Sequence, residues 1–477
     1  MRWHAEFAWL GDGVAADVLI EADGERFTSV TPGVPAPPDT ARLPGLTLPG
    51  LANAHSHAFH RALRGRVQAD RGTFWTWREQ MYKVADRLDP VSYRALATAV
   101  YSEMALAGIS CVGEFHYLHH RPGGEPYGEP NAMGEALIAA AADAGIRITL
   151  LDACYLAGGI GQPLKGPQLR FGDGTAGNWT RRVDSLYEAT GKTARPHARV
   201  GAAIHSVRAV PREQIAAVAS WAKEHRAPLH VHLSEQPAEN EACMAEYGMT
   251  PTRLLADCGA LGALTVAVHA THLTEEDIGL LGTTTTGVCM CPTTERDLAD
   301  GIGPARDLCD AGSPICLGSD QHAVIDLFEE ARAVELDERL RTRQRGHWSS
   351  GELLAAASSS GHYGLGWPEA GRLEPGAYAD LVTVGLDSVR TAGPGPEFAA
   401  ETAVFAATAA DVRHVVVSGR EIVRDGRHLL IEDVPAALAA AIAEVTADSD
   451  AAPAPGSDAA LAPSSDAGSD PGSAPEA

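Results

Sequence analysis

Eight short apolar runs recur through the middle of the chain, with helix-like stretches between them. They read "LTLPGLANAHSH", "GISCVGEFHY", "RITLLDACY", "RVGAAIHSV", "APLHVHLSE", "LTVAVHATH", "TTGVCMCPTT" and "SPICLGSDQH". Near-continuous apolar runs of this length suit parallel strands covered on both faces. The intervening segments, such as "PVSYRALATAVYSEMALA" and "PREQIAAVASWAKEH", are rich in Ala and Leu and carry charges, as helices do. Strand–helix alternation repeated eight times predicts an α/β fold, a (β/α)8 TIM-type barrel. Nearly every run ends in His, Asp, Glu, Tyr or Thr. A barrel of this kind carries its active site at the C-terminal ends of its strands, so those polar ends should converge.

The flanks read differently. "ADVLIEADGERFTSV" near the start, and "GRLEPGAYADLVTV" and "VRHVVVSGREIVRDGRH" near the end, are short β-prone pieces broken by turn residues. They predict one small antiparallel β-sandwich built from both chain ends. The expected division is residues 1–49 and 371–445 for the sandwich and 50–370 for the barrel. Residues 446–477 hold no aromatic residue, Lys or Arg, and predict a disordered acidic Ala/Pro/Ser tail.

Bulk properties narrow the function. A length of 477 residues allows one large domain and a smaller one. A formal net charge of −24 argues against nucleic acid or an anionic membrane as partner. An anionic substrate then needs locally focused basic residues. The opening "MRWHAEFAWLGDG" does not read as a signal peptide, and no apolar run reaches the length of a membrane span. The eight cysteines are scattered and predict reduced thiols in a cytoplasmic protein. Cys289 and Cys291 look like half a metal site, but no second pair accompanies them, so they read as buried strand cysteines.

The strand ends offer chemistry. His55 and His57 lie two apart and share one face of a strand. The fifth run supplies His230, His232 and Glu235, the sixth His269 and His272, and the eighth Asp320 and His322. Three imidazoles and a carboxylate suit a zinc-type ion with an open position for water.

The order "PGLANAHSH…HLSEQ…VHATH…GSDQH" resembles the amidohydrolase superfamily over nearly the whole chain before the tail. "G-x-L-x-x-G-x-x-A-D-L-V", here Gly371 to Val382, fits the same family. More narrowly, "NAHSHAFHRALRG", "FWTWREQMY", "EFHYLHH", "HSVRAVP", "HLSEQ", "CPTTERDLADGI" and "GSDQH" are similar to formimidoylglutamate deiminases. Those enzymes act in histidine breakdown, converting N-formimidoyl-L-glutamate to N-formyl-L-glutamate and ammonia.

The resemblance implies that His55, His57, His232 and Asp320 hold a divalent ion. Ligand type favours zinc, although iron or manganese fits as well. Run four has no lysine of the kind that bridges two metals in many relatives, which favours one ion. Asp320 joins the catalytic set with Glu235, expected as the proton shuttle to the leaving amine, and His269, expected to take a proton from water. Arg78 and Arg208 are expected to bind the two substrate carboxylates, with His205 and Tyr117 adding hydrogen bonds. His60 is a departure, standing where some members of the family have Gln, and is kept among the substrate-binding candidates. His116, His119, His120, His230, His272 and His322 are expected to orient ligands or to be structural. A homodimer is common in the family. Two other readings compete: a single-metal aminohydrolase of a purine, pyrimidine or triazine ring, and a non-catalytic barrel scaffold. The unrelated zinc deaminases with P-C-x-x-C are excluded, because that motif does not occur here.

Overall fold

The structure, a computed structural model, describes residues 1–69, 74–193 and 195–447. The predicted tail lies outside these residues except for Thr446, the last residue of the helix Val434–Thr446, and Ala447. Among the described residues, sixteen strands fall into two sheets. In chain order they are β1 (Arg2–Trp9), β2 (Val14–Asp23), β3 (Arg26–Thr31), β4 (Ala41–Pro49), β5 (Leu51–Ser56), β6 (Ile109–His116), β7 (Arg147–Cys154) and β8 (Ala198–Ile204). They continue as β9 (Leu229–Leu233), β10 (Thr265–His269), β11 (Gly287–Met290), β12 (Ile315–Leu317), β13 (Leu381–Val384), β14 (Val412–Val417), β15 (Arg420–Arg424) and β16 (Arg427–His428).

Strands β5 to β12 pair in sequence order, and every neighbouring pair is parallel. Each of the eight apolar runs supplies one of them. All residues of β5, β6, β7 and β9 to β12 are buried, which is why these runs lack the alternation of a one-sided sheet. Helices cover the outside. The helix Pro90–Leu106 shows how one is specified: Asp89 caps it by accepting the N–H groups of Val91 (2.9 Å) and Ser92 (2.8 Å), and Pro90 opens the first turn. Its buried Leu96, Val100 and Met104 recur every four residues and face inward.

The barrel closes between its first and last strands. The His57 N–H donates to the Asp320 carbonyl (3.1 Å), and the Asp320 N–H donates to the His55 carbonyl (3.0 Å). Just below, the Asn53 amide donates to Ser319 Oγ (2.7 Å) and accepts the Ser319 N–H (2.9 Å). Gly318 permits this approach: a Cβ there would lie 2.7 Å from His55 Cβ and 2.9 Å from the His55 carbonyl oxygen. Barrel closure and the meeting of "NAHSH" with "GSDQH" are therefore one event.

The second sheet runs β16-β15-β14-β13-β4-β1-β2-β3, so both chain ends build it, as the flanking patterns imply. It is mixed rather than antiparallel throughout, because β1 and β4 pair in parallel. The cause is the connection. The segment 32–40 leaves the β2–β3 hairpin and returns the chain on the other side of β1, where a tight turn would have forced an antiparallel neighbour. Asp380, from the "ADLV" stretch, ties this sheet to the barrel. It forms a buried ion pair with Arg147 at the start of β7 and accepts the Ser418 N–H (2.7 Å). The pair lies at the N-terminal end of its barrel strand, opposite the polar strand ends. No helix among the described residues is long and apolar enough to cross a membrane.

Candidate active site

His55 lies near the end of β5 and His57 directly follows it, His232 lies near the end of β9, His269 ends β10, and Asp320 follows β12. The barrel brings them together. Asp320 Oδ1 stands 3.4 Å from Nε2 of both His55 and His57, and Asp320 Oδ2 stands 3.6 Å from His269 Nε2. The Nε2 atoms of His55 and His232 are 3.1 Å apart. Two overlapping triads result, His55/His57/Asp320 and His55/His232/His269.

The outer ring nitrogens fix the tautomers. His57 Nδ1 meets the Phe115 carbonyl at 2.9 Å, and His232 Nδ1 meets the His205 carbonyl at 2.8 Å. A carbonyl only accepts, so each Nδ1 carries the proton and each Nε2 turns a lone pair inward. Burial pushes the imidazoles away from the charged form: His55 is lowered to about 3, His57 is lowered and His232 lies well below its usual value. Burial alone would raise Asp320. The hydrogen bond from His55 and the charges of His55, His269 and His57 outweigh it and hold this carboxyl well below its ordinary range. Converging neutral imidazole lone pairs and one carboxylate repel each other unless a cation lies among them. The donor set therefore fits a divalent metal ion.

His269 differs from the other three. Burial lowers its affinity for a proton, but Glu295 at 3.3 Å from Nδ1, with the charges of Glu235 and Asp320, pushes it up to about 10. A bound divalent cation would act in the opposite direction. Glu235 Oε1 lies 4.0 Å from His269 Nε2. The backbone here is unusual: His269 (φ 69°), Asp320 (φ 41°) and Ser234 (φ 49°) all occupy the left-handed region, disfavoured for residues with a Cβ.

Above this cluster opens a cavity of about 450 Å³. His57, His60, Arg78, Tyr117, His205, Arg208, His232, Glu235, His269 and Asp320 all line it, while His55 lies fully buried behind them. Arg78 comes from the helix Phe74–Arg87, His60 from the short helix Ala58–Leu63, and Tyr117 from just beyond β6. His60 Nε2 meets the Tyr117 hydroxyl at 3.0 Å. Arg208 faces two carboxylates of the protein itself, Glu239 (2.9 Å) and Glu235 (3.4 Å).

Other residues near these groups were not singled out in the sequence. Glu114 accepts the Ser56 hydroxyl and the Ala58 N–H, both at 2.7 Å, and so braces the turn around His57. Burial pushes its carboxyl up to about 7 against those two bonds. Glu295 orients His269, and Glu239 pairs with Arg208. Tyr82, Tyr155 and Gln168 complete the far wall of the cavity. None of them had a local signal: Glu235 precedes the helix Pro237–Tyr247 that carries Glu239, so their spacing of four is not a helical pair.

Two other clusters of ligand-type residues are explained without an ion. His116 and His119 approach Asp152, but Arg182 already pairs with both Asp152 oxygens (2.8 Å each) and Trp179 Nε1 donates to one (2.9 Å). Cys291 approaches His269 and Glu295, where Glu295 Oε1 already accepts the Cys291 N–H (2.8 Å) and faces His269 Nδ1 (3.3 Å). All eight cysteines are free, and the Cys289 and Cys291 sulfurs are 4.0 Å apart.

A parallel barrel with imidazoles and a carboxylate gathered at its C-terminal mouth is an arrangement able to hold a divalent ion. The amidohydrolase family profile matches residues 46–422, and the chain belongs to that family. It is 36% identical over 439 residues to formimidoylglutamate deiminase of Pseudomonas aeruginosa, covering 89% of this chain and 95% of that one. It is 29% identical to a 5-methylthioadenosine/S-adenosylhomocysteine deaminase of Natronomonas pharaonis, over 86% of this chain and 89% of the relative. Among solved structures, an amidohydrolase from Brucella melitensis superposes with a TM-score of 0.86 at 33% identity, covering 93% of this chain and 99% of that one. An atrazine chlorohydrolase mutant from Arthrobacter aurescens, complexed with zinc and atraton, superposes with a TM-score of 0.81 at 25% identity, over 92% and 98% of the two chains.

Proposed function

We propose that this protein hydrolyses N-formimidoyl-L-glutamate to N-formyl-L-glutamate and ammonia, a step of histidine breakdown. The observation that carries the reading is one cavity with an ion-binding cluster at its floor and two arginines, Arg78 and Arg208, in its walls. A substrate with two carboxylates calls for both guanidinium groups. 5-Methylthioadenosine, named for other relatives, has no carboxylate and calls for neither, and S-adenosylhomocysteine has one and calls for only one. The likeness to the Pseudomonas aeruginosa deiminase along nearly the full chain points the same way.

His55, His57, His232 and Asp320 would hold one ion, zinc by ligand type, and a bound zinc ion acidifies water so that hydroxide is available near neutral pH. The protein's own groups do the rest. Arg78 and Arg208 pair with the substrate carboxylates and so place the amidine carbon over the cluster. His60, Tyr117 and His205 supply hydrogen bonds along the way. His269, oriented by Glu295, hydrogen-bonds the attacking water and helps take its proton. Glu235 carries a proton to the terminal nitrogen. The bond from carbon to that nitrogen breaks, ammonia leaves, and the carbon becomes a formyl group still attached to the glutamate nitrogen.

The test is kcat/KM for the zinc-loaded protein on N-formimidoyl-L-glutamate, N-formimidoylglycine and 5-methylthioadenosine. The proposal expects the first to exceed the second, which lacks one carboxylate, by about 10²-fold or more, since each desolvated carboxylate–arginine pair is worth several kcal/mol. Preference for 5-methylthioadenosine would move the assignment to ring deamination.

A further inference from the structure

Arg208 already meets two carboxylates of the protein before any substrate arrives. Its Nε lies 2.9 Å from Glu239 Oε2, an ion pair without hydrogen-bond alignment, and its Nη2 donates to Glu235 Oε2 at 3.4 Å. Neither contact uses Nη1. The two carboxylates are held differently. The Glu239 side chain is fully buried, and its other oxygen accepts the Ser234 N–H (3.2 Å). Glu235 makes the longer contact, and its side chain keeps some exposure to the cavity. Beyond Glu235 come His269 at 4.0 Å and Glu295 at 3.3 Å from that ring. Acidic and basic groups thus alternate from Glu239 to Glu295, and the proposed proton carrier stands in the middle.

We propose that Glu239 is a positioning residue: it anchors Arg208 by the Nε edge, so that a substrate carboxylate displaces Glu235 from Nη2 and thereby frees Glu235 for proton transfer. The inference rests on the function proposed above and adds to it a coupling between carboxylate recognition and chemistry. An incoming carboxylate competes with the two internal ones for a planar donor set. It displaces Glu235, the longer contact and the one open to the cavity, and leaves the fully buried Glu239 in place as a charge partner. A substrate without a carboxylate leaves Glu235 engaged, so it should lose turnover as well as affinity. That is the pattern expected when remote binding energy is used at the reacting centre.

The test uses the zinc-loaded full-length protein, with Glu239→Gln, Arg208→Gln and the double variant, on N-formimidoyl-L-glutamate and on N-methylformamidine, an amidine with no carboxylate. Gln is nearly isosteric with Glu, and melting temperature and zinc content report whether each variant is folded and loaded. We expect Glu239→Gln to lower kcat/KM on the glutamyl substrate about 30-fold or more, as for truncating one partner of a buried charge pair. On N-methylformamidine the change should stay within about threefold, and the double variant should be no worse than Arg208→Gln alone, because Glu239 acts through Arg208. Equal losses on both substrates would overturn the proposal in favour of a purely structural role. A lower KM for the glutamyl substrate would overturn it as well, since Glu239 would then act only as a repelling charge. A wild type that turns over N-methylformamidine or 5-methylthioadenosine but not N-formimidoyl-L-glutamate would instead overturn the function on which the proposal rests.

Discussion

Replacing Glu295 by Gln isolates the charge that orients His269. One Glu295 oxygen, Oε1, lies 3.3 Å from His269 Nδ1 and 2.8 Å from the Cys291 nitrogen. A Gln amide oxygen can occupy the same position and accept both protons, so the variant removes a negative charge and leaves the geometry. A hydrogen bond to an ionised acceptor contributes about 1–2 kcal/mol more than one to a neutral acceptor. If that difference is felt as His269 takes up a proton, kcat falls about 5- to 30-fold at 1.36 kcal/mol per decade. KM should hardly move, because Glu295 does not line the cavity. The sign of the pH effect also follows. The Glu295 carboxylate raises the proton affinity of His269, so its loss moves the acid limb of kcat to lower pH. Glu295→Ala should be worse than Gln, because it leaves two buried N–H groups without an acceptor. The assay is steady-state ammonia release across pH 5 to 9 with zinc content matched. A kcat within twofold of wild type, or a loss confined to KM, would refute the role given to His269.

Asp380→Asn should cost about 3–5 kcal/mol in urea unfolding, because it strips the buried Arg147 of its counter-charge; kcat of the folded fraction should be unchanged, since the pair lies at the far end of the barrel. Chelation should lower the melting temperature, and zinc at about 1,000 times its dissociation constant should restore about 4 kcal/mol; saturation at one equivalent per chain would support a single ion, and at two would contradict it. Asp173 is held well below the ordinary carboxylate range: burial would raise it, but His120 and Arg182 outweigh that. Its contribution to stability is therefore present above its unfolded value near 3.8 and is lost as pH falls below it. Asp173→Asn should be less stable at pH 7 yet show a flatter stability curve from pH 5 to 3, checked by denaturant titrations at each pH.

The barrel was legible because its strands, fully buried in all but β8, where only Arg199 is half-buried, read as apolar runs. The residues that meet in the His/Asp cluster were legible because each ends or follows such a run. "HSH" shows its shared face by alternation alone. Its meeting with Asp320, more than 250 residues away, follows only from closure of β5 on β12. The direction of β1 against β4 was not legible, since side-chain alternation is the same in parallel and antiparallel strands. Glu114, Glu239 and Glu295 were not legible for a different reason. A carboxylate that serves a catalytic group looks in sequence like any other acidic residue until its neighbours are known. Arg208 shows the same limit from the other side: its suitability for carboxylates was readable, but the two carboxylates it already meets were not.

The most direct test of the account is product analysis of N-formimidoyl-L-glutamate turnover by the zinc-loaded protein, beside Glu235→Gln. The account predicts ammonia and N-formyl-L-glutamate in equal amounts, with turnover lost in the variant by about 10²-fold or more, as for removal of a general acid–base group. Release of glutamate and formamide would mean that the proton reaches the other nitrogen. Unchanged turnover in Glu235→Gln would remove this residue from the proton path, and either result would contradict the account.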